Sequence, residues 1–208
     1  MSEIAHLVAT IYKKASGRRR FVVAIAGPPG AGKSALARTM LPLLPEGSAA
    51  LVAMDGFHLD NAVLDARGLL ARKGAPETFD FGGFAALLKR VREGGEDIAL
   101  PTFDREADLA RAGAAIVPGD ARFVLVEGNY LLFDEEPWAG LAPLFDFSVF
   151  LDVPPPVLEE RLVQRWVDHG HKMEEARQRA LSNDMANAER ILNARRSADL
   201  VLAWNDAG

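Results

Sequence analysis

Five short runs are dominated by apolar residues: FVVAIA (21–26), AALVAM (49–54), FVLVE (123–127), FSVFLDV (147–153) and DLVLAW (199–204). Runs of this length without polar alternation suit strands covered on both faces, as in a parallel sheet. Helical spacing lies between them. Leu36, Ala37, Met40 and Leu41 share one face, as do Phe84, Leu87, Leu88 and Val91, while Leu158, Leu162 and Trp166 recur at four-residue steps. Strands alternating with helices predict an α/β fold with right-handed crossovers. Ile4, Leu7, Val8, Ile11 and Tyr12 predict an amphipathic helix before the first strand, packed on its own domain. The stretch 96–120 is rich in Gly, Pro and charge, and predicts a small hairpin or loop excursion at the rim of the sheet. The pattern does not fix the strand order.

The chain has 208 residues, enough for one domain spanning 1–208 with a full core. A net charge of −5 argues against a general nucleic-acid binder and leaves room for a local basic pocket. No cysteine is present, which excludes disulfides, thiolate metal sites and cysteine nucleophiles. No apolar run approaches the ~18–20 residues of a membrane span, so no membrane insertion is expected. The early Glu3 and the lack of a continuous apolar stretch near the N-terminus are unlike a secretory signal, which predicts a cytoplasmic location. A homodimer is left open.

Directly after FVVAIA stands Gly27-Pro28-Pro29-Gly30-Ala31-Gly32-Lys33-Ser34-Ala35, which satisfies G-x-x-x-x-G-K-[ST] at every fixed position. Gly27 and Gly32 remove side chains where the backbone must bend around oxygen atoms. Successive amide N–H groups then form an anion nest, and the helix starting near Lys33 adds its positive end. Lys33 suits the β- and γ-phosphates, and the Ser34 hydroxyl suits Mg²⁺. The motif sits in its required context, a strand before and an amphipathic helix after, and predicts a nucleoside triphosphate site with magnesium. No Asn-Lys-x-Asp segment is present, so ATP is expected over GTP.

In open parallel sheets ligands bind beyond the carboxyl ends of the strands. Asp55, Glu127 and Asp152 stand at three such ends. Phosphoryl transfer to a hydroxyl uses one carboxylate to deprotonate the acceptor and one to organise magnesium or its water. Asp55-Gly56 could equally be a turn pair, and Asp152 is not assigned a role. Arg161 and Arg165 lie one helical turn apart, a repulsive arrangement that makes sense with an anion between them. His169 and His171 read as exposed loop residues and a poor metal site.

Taken together, GPPGAGKS, MDGFH (54–58), RGLLARKGAPETFD (67–80), LPTFDRE (100–106), LVEGNYLL (125–132), FLDVPPPVLEERLVQRW (150–166) and NDMANAERILNARRSAD (183–199) make a chain that resembles the P-loop kinases of small metabolites. These are uridine kinase, phosphoribulokinase and bacterial pantothenate kinase. The RGLL-RKG-PETFD stretch looks like the pantothenate-kinase branch, and within it the chain is most similar to fructose transport system kinases or generic nucleoside/nucleotide kinase family proteins. The resemblance implies a three-layer P-loop sandwich with a five-stranded parallel sheet of order 2-3-1-4-5, a helical lid over about 155–175 carrying Arg161 and Arg165, and acceptor-site segments at about 56–80 and 96–120. It implies Asp55 as the base and Glu127 beside magnesium. It places His58, Phe79, Asp80, Phe103, Asp104 and Arg105 at the acceptor. The chain departs from uridine kinases, which have Tyr-Asp and then His-x-Arg where this chain has Phe103-Asp104-Arg105, and from the longer pantothenate kinases with their Tyr-Ser-His stretch. Carboxylates with an arginine suit a polyhydroxylated acceptor, neutral or already anionic. The expected activity is ATP-dependent phosphorylation of such a small molecule, a sugar such as fructose or a nucleoside- or pantothenate-like acceptor. The alternative is a nucleotide-binding regulatory ATPase that acts through a protein partner.

Overall fold

The structure is a computed structural model that describes residues 3–204. Five parallel strands form the main sheet: β1 (Phe21–Ala26), β2 (Ala49–Ala53), β5 (Phe123–Gly128), β6 (Phe147–Asp152) and β7 (Leu200–Ala203). Their spatial order is β2-β5-β1-β6-β7, which is 2-3-1-4-5 when only these five are numbered. The two remaining strands, β3 (Ile98–Asp104) and β4 (Leu109–Val117), pair with each other as an antiparallel hairpin, the excursion expected over 96–120.

β1 is central and buried along its whole length, in register Phe21↔Phe123 through Ala26↔Gly128 with β5. Because side chains alternate across a strand, Val22, Ala24 and Ala26 enter one hydrophobic layer while Phe21, Val23 and Ile25 enter the other. The first layer is covered by α4 (Phe81–Glu93) through Phe84, Leu87, Leu88 and Val91. The second is covered by α1 (Glu3–Lys14), α2 (Lys33–Met40) and α5 (Pro155–Asp168). Each such fully buried side chain contributes about 1.5–3 kcal/mol relative to exposure. Two-sided burial explains why β1, β5 and β6 lack polar alternation.

The edges differ from the sequence reading. β2 alternates half-buried and buried residues, and it ends at Ala53, where Met54–Phe57 turn into a 3₁₀ helix. β7 leaves Val201 exposed. An edge strand has a neighbour on one side only, so its covering is thinner. Tyr12 is half exposed and stacks flat on Phe123 at 5.9 Å instead of joining the buried stripe of Leu7, Val8 and Ile11. Leu41 falls into a short 3₁₀ turn with Pro42 and is only partly buried.

The remaining helices are α3 (Asn61–Ala66), α6 (Met173–Arg179) and α7 (Ala186–Asn193), with a π-helical turn, Ala180–Met185, joining the last two. No described helix is long and apolar enough to cross a membrane.

Candidate active site

The loop after β1 wraps around the start of α2. Gly30 (φ 79°) and Gly32 (φ 88°) occupy the left-handed region that disfavours side chains. A Cβ on Gly30 would also lie 3.2 Å from Leu162 Cγ, so α5 packs tightly over the loop. Lys33 opens α2, and its side chain curls back so that Nζ donates to the Pro28 carbonyl at 2.9 Å. The ammonium is buried, and burial pulls its pKa from 10.5 to about 8 against the opposing pull of Glu127 and Asp55.

Glu127 sits near the end of β5, opposite Ile25 of β1. Its Oε1 accepts the Ser34 hydroxyl at 3.0 Å. Burial, then the negative charge of Asp55, raises the Glu127 pKa, while Lys33 and Ser34 lower it. Asp55 projects from the 3₁₀ turn after β2, and Arg105 Nη2 donates to its Oδ2 at 3.0 Å. The neighbouring strand ends are seated closely: a Cβ on Gly128 would lie 2.5 Å from Met54 Cβ. A glycine between Glu127 and Asn129 thus lets the turn that bears Asp55 settle against β5.

A cavity of about 1150 Å³ opens beyond the carboxyl ends of the strands, and Pro29, Asp55, His58, Phe103, Arg105 and Arg165 line it. His58 Nδ1 donates to the Asp55 carbonyl at 2.8 Å. Its ring lies between Phe79 and Phe103, with centroids 4.1 and 4.7 Å away. Burial lowers the His58 pKa, with Asp55 opposing.

Three residues expected at the acceptor do not line the cavity. Phe79 is buried behind His58, against Tyr130 and Trp138. Asp80 caps α4, accepting the Gly83 N–H at 2.9 Å. Asp104 accepts the Ala107 N–H at 3.1 Å and faces Arg111 at 3.6 Å, which braces the hairpin turn. Arg161 does not line the cavity either; its Nη1 donates to the Gly30 carbonyl at 3.3 Å and clasps α5 to the phosphate loop. His169 is exposed as expected, but His171 is half-buried against the Trp166 ring at 5.4 Å. Among the described residues, no group of three or more His, Cys, Asp and Glu gathers as a metal cluster.

The structure adds residues that the sequence did not single out. Asp184, on the π-helical turn, accepts both Arg165 Nη2 at 2.9 Å and Trp166 Nε1 at 2.8 Å through Oδ2. Asn183 donates to the Lys73 carbonyl at 2.7 Å, so one turn ties α5 to the segment around Lys73. Lys73 holds Asn61 and Asp108. Asn129 lines the cavity directly after the Glu127-Gly128 pair. An Asn-Asp pair inside an otherwise amphipathic helix was the one signal that could have marked 183 and 184.

The donor set suits Mg²⁺ and a triphosphate. A buried ammonium held far below its ordinary pKa is short of anionic partners. A buried carboxylate with a raised pKa, sharing a hydroxyl, is short of cationic ones. An anion beside Lys33 and a divalent cation beside Ser34 and Glu127 would relieve both deficits.

Sheet order, phosphate loop and carboxylate-lined cleft together define a P-loop kinase of small metabolites. The sequence model of the "Phosphoribulokinase / Uridine kinase family" matches residues 22–204, and the chain belongs to that family. It is 38% identical to YggC of Escherichia coli (strain K12) over 99% of this chain and 86% of that protein. It is 31% identical to a protein of Schizosaccharomyces pombe provisionally named a uridine kinase, over 89% of this chain and 83% of that one. A crystal structure from Silicibacter sp. TM1040, provisionally described as a fructose transport system kinase, superposes with a TM-score of 0.92 at 46% identity, covering 97% of this chain and 100% of that one.

Proposed function

We propose that the chain transfers the γ-phosphoryl group of ATP to a hydroxyl of a small metabolite, a sugar such as fructose or a nucleoside- or pantothenate-like molecule, with Asp55 as the base. The observation that carries this reading is the position of the Asp55 carboxylate on the cavity that also meets the phosphate loop at Pro29. Backbone N–H groups within residues 27–35, all but Pro28 and Pro29 carrying one, bind the phosphates, with Lys33 as the point charge. Ser34 and Glu127 are the residues that would hold Mg²⁺, which when bound offsets phosphate charge. Asp55 takes the proton of the acceptor hydroxyl. The freed oxygen bonds to the γ-phosphorus as the bond to the β,γ-bridging oxygen breaks, and ADP leaves. Arg105 orients Asp55. Arg165, on the lid over 155–175, meets the charge on the transferring group, and Arg161 reaches it from beside the phosphate loop once it releases the Gly30 carbonyl. His58 and Phe103 form the acceptor wall.

The test is a coupled ADP-release assay with Mg·ATP, over sugars, nucleosides, pantothenate and sugar phosphates. Acceptor-dependent ADP release is expected, and Asp55→Asn should lower it by about 10²–10⁴-fold while nucleotide affinity is kept. Slow ATP hydrolysis that no acceptor raises, together with capture of a protein partner, would replace the kinase by a regulatory ATPase.

A further inference from the structure

The cations around the acceptor side of the cavity are already matched by the chain itself. The Lys73 ammonium has three hydrogens, and three oxygens face them: Asn61 Oδ1 at 2.6 Å, the Asp108 carbonyl at 2.8 Å and Asp108 Oδ1 at 2.9 Å. Arg105 faces Asp55 at 3.0 Å, and Arg165 faces Asp184 at 2.9 Å. Among the described residues lining the cavity, Arg179 is the cation without a carboxylate partner; it is exposed and lies over the Trp166 ring at 5.2 Å, on the lid side. A carboxylate or phosphate on the acceptor would find no unmatched cation beside Asp55, would have to share Arg105 or Lys73 with a carboxylate of the chain, and would face repulsion from Asp55 and Asp108.

Hydrogen-bonding capacity points the same way. The Asp55 carbonyl can only accept, so His58 Nδ1 carries the hydrogen and Nε2 presents a lone pair. Burial disfavours the protonated ring, which preserves that lone pair at neutral pH. The flanking rings of Phe79 and Phe103 fix the imidazole plane. Asp55 and His58 stand three residues apart on a 3₁₀ turn, where side chains i and i+3 eclipse. One face of one turn therefore offers the cavity a carboxylate and an imidazole nitrogen, two acceptors side by side. Their complement is a molecule with two hydroxyl donors.

We infer that the acceptor is an uncharged polyhydroxylated molecule that gives one hydroxyl to Asp55 and a second to His58 Nε2, with His58 determining specificity. This rests on the kinase reading above and narrows its substrate class.

The experiment compares two sets of acceptors in the ADP-release assay with the full chain and Mg·ATP. D-fructose, D-mannitol and uridine form the uncharged set; D-fructose 6-phosphate, D-gluconate and pantothenate form the acidic set. At least one uncharged acceptor should raise ADP release about tenfold or more, with no acidic one doing so. For that acceptor, His58→Phe should raise KM about tenfold with the KM for ATP unchanged, because the ring is kept and its lone pair lost. His58→Gln, whose amide oxygen still accepts, should recover part of the loss. Thermal melting of both variants separates a folding defect from a lost contact. Turnover confined to the acidic set would overturn the inference and leave the kinase reading standing, as would an unchanged acceptor KM in a folded His58→Phe protein. No rise with any of the six, in a protein that binds Mg·ATP, would overturn both.

Discussion

Arg105 Nη2 lies 3.0 Å from Asp55 Oδ2, although the two residues come from the rim hairpin and from the turn that leaves β2. The hairpin reaches Asp55 through the backbone as well, since Gly56 sits directly beneath the Pro101 carbonyl. The excursion of the chain beyond the sheet thus orients the proposed base. The Arg105 side chain is 54% exposed, and an ion pair in that setting contributes only about 0–1 kcal/mol to folding. The proposed role of Arg105 is therefore direction, not stability. Arg105→Ala should leave the melting temperature within a few degrees of the parent and lower acceptor-dependent turnover by about 10- to 100-fold. Melting curves and the coupled assay, run on the same preparation, check both halves. A large loss of stability with turnover preserved would assign Arg105 to the fold instead.

The central strands were legible because two-sided burial writes itself as an unbroken apolar run, as in Phe21–Ala26. The order of the five strands came with the family resemblance, since periodicity carries no neighbour information. The edges were overread: β2 looks like a buried strand because Ala49, Leu51 and Ala53 keep its half-covered positions apolar. At the site, Lys33, Ser34, Asp55 and Glu127 could be named because a motif or a strand end marks them. Phe79 and Asp80 could not be separated from their neighbour His58 by residue type. An aspartate before Phe81-Gly82-Gly83 serves equally as ligand or helix cap, and the Gly83 N–H decides for the cap. Lys73 and Asp108 look like solvated loop charges until tertiary structure brings them to 2.9 Å.

His58 gives the fold a pH dependence of known sign. Its pKa in the folded chain lies below the ordinary 6.5 because burial disfavours the imidazolium. Between the folded value and 6.5 the unfolded chain binds more protons than the folded one, so stability falls as pH drops through that window. Above 6.5 the contribution is flat. Urea melts of the parent and of His58→Phe between pH 5 and pH 7.5 isolate this group from the other histidines. The difference in stability between the two proteins should shift in favour of His58→Phe toward acid. A difference that does not vary with pH would mean that the ring is solvated in the folded chain.

Gly56 tests the seat of the proposed base without touching its chemistry. A Cβ there would stand 2.4 Å from the Pro101 carbonyl oxygen and 2.8 Å from its carbon. Backbone cannot swing aside as a flexible side chain can, so the turn and the hairpin must part. Gly56→Ala should destabilise the fold by about 1–3 kcal/mol, with each kcal/mol lowering Tm by roughly 2–4 °C in a chain of this size. Parting the hairpin also draws Arg105 away from Asp55, so turnover should fall beyond what Arg105→Ala alone produces. A Gly56→Ala protein with parental Tm and turnover would show that the close approach is not maintained in solution.

In the proposed reaction, Asp184 sets how much of the Arg165 charge is left for the nucleotide. Its carboxylate Oδ2 is shared between Arg165 and the Trp166 indole, on a π-helical turn of the kind often found at functional sites. In Asp184→Asn the amide oxygen still accepts from Trp166, so the turn keeps its anchor, but the charge opposing Arg165 is gone. That cation already lowers the pKa of Lys33 across the cleft, so it is electrostatically coupled to the phosphate site. Left uncompensated, it should bind Mg·ATP several-fold more tightly in the ground state. Direction is lost at the same time, and an interaction strengthened before the transition state does not speed the reaction. The expected signature is therefore a lower Kd for Mg·ATP by calorimetry together with a lower kcat. Unchanged affinity in Asp184→Asn would mean that Arg165 does not reach the phosphates, and the lid would then contribute through Arg161.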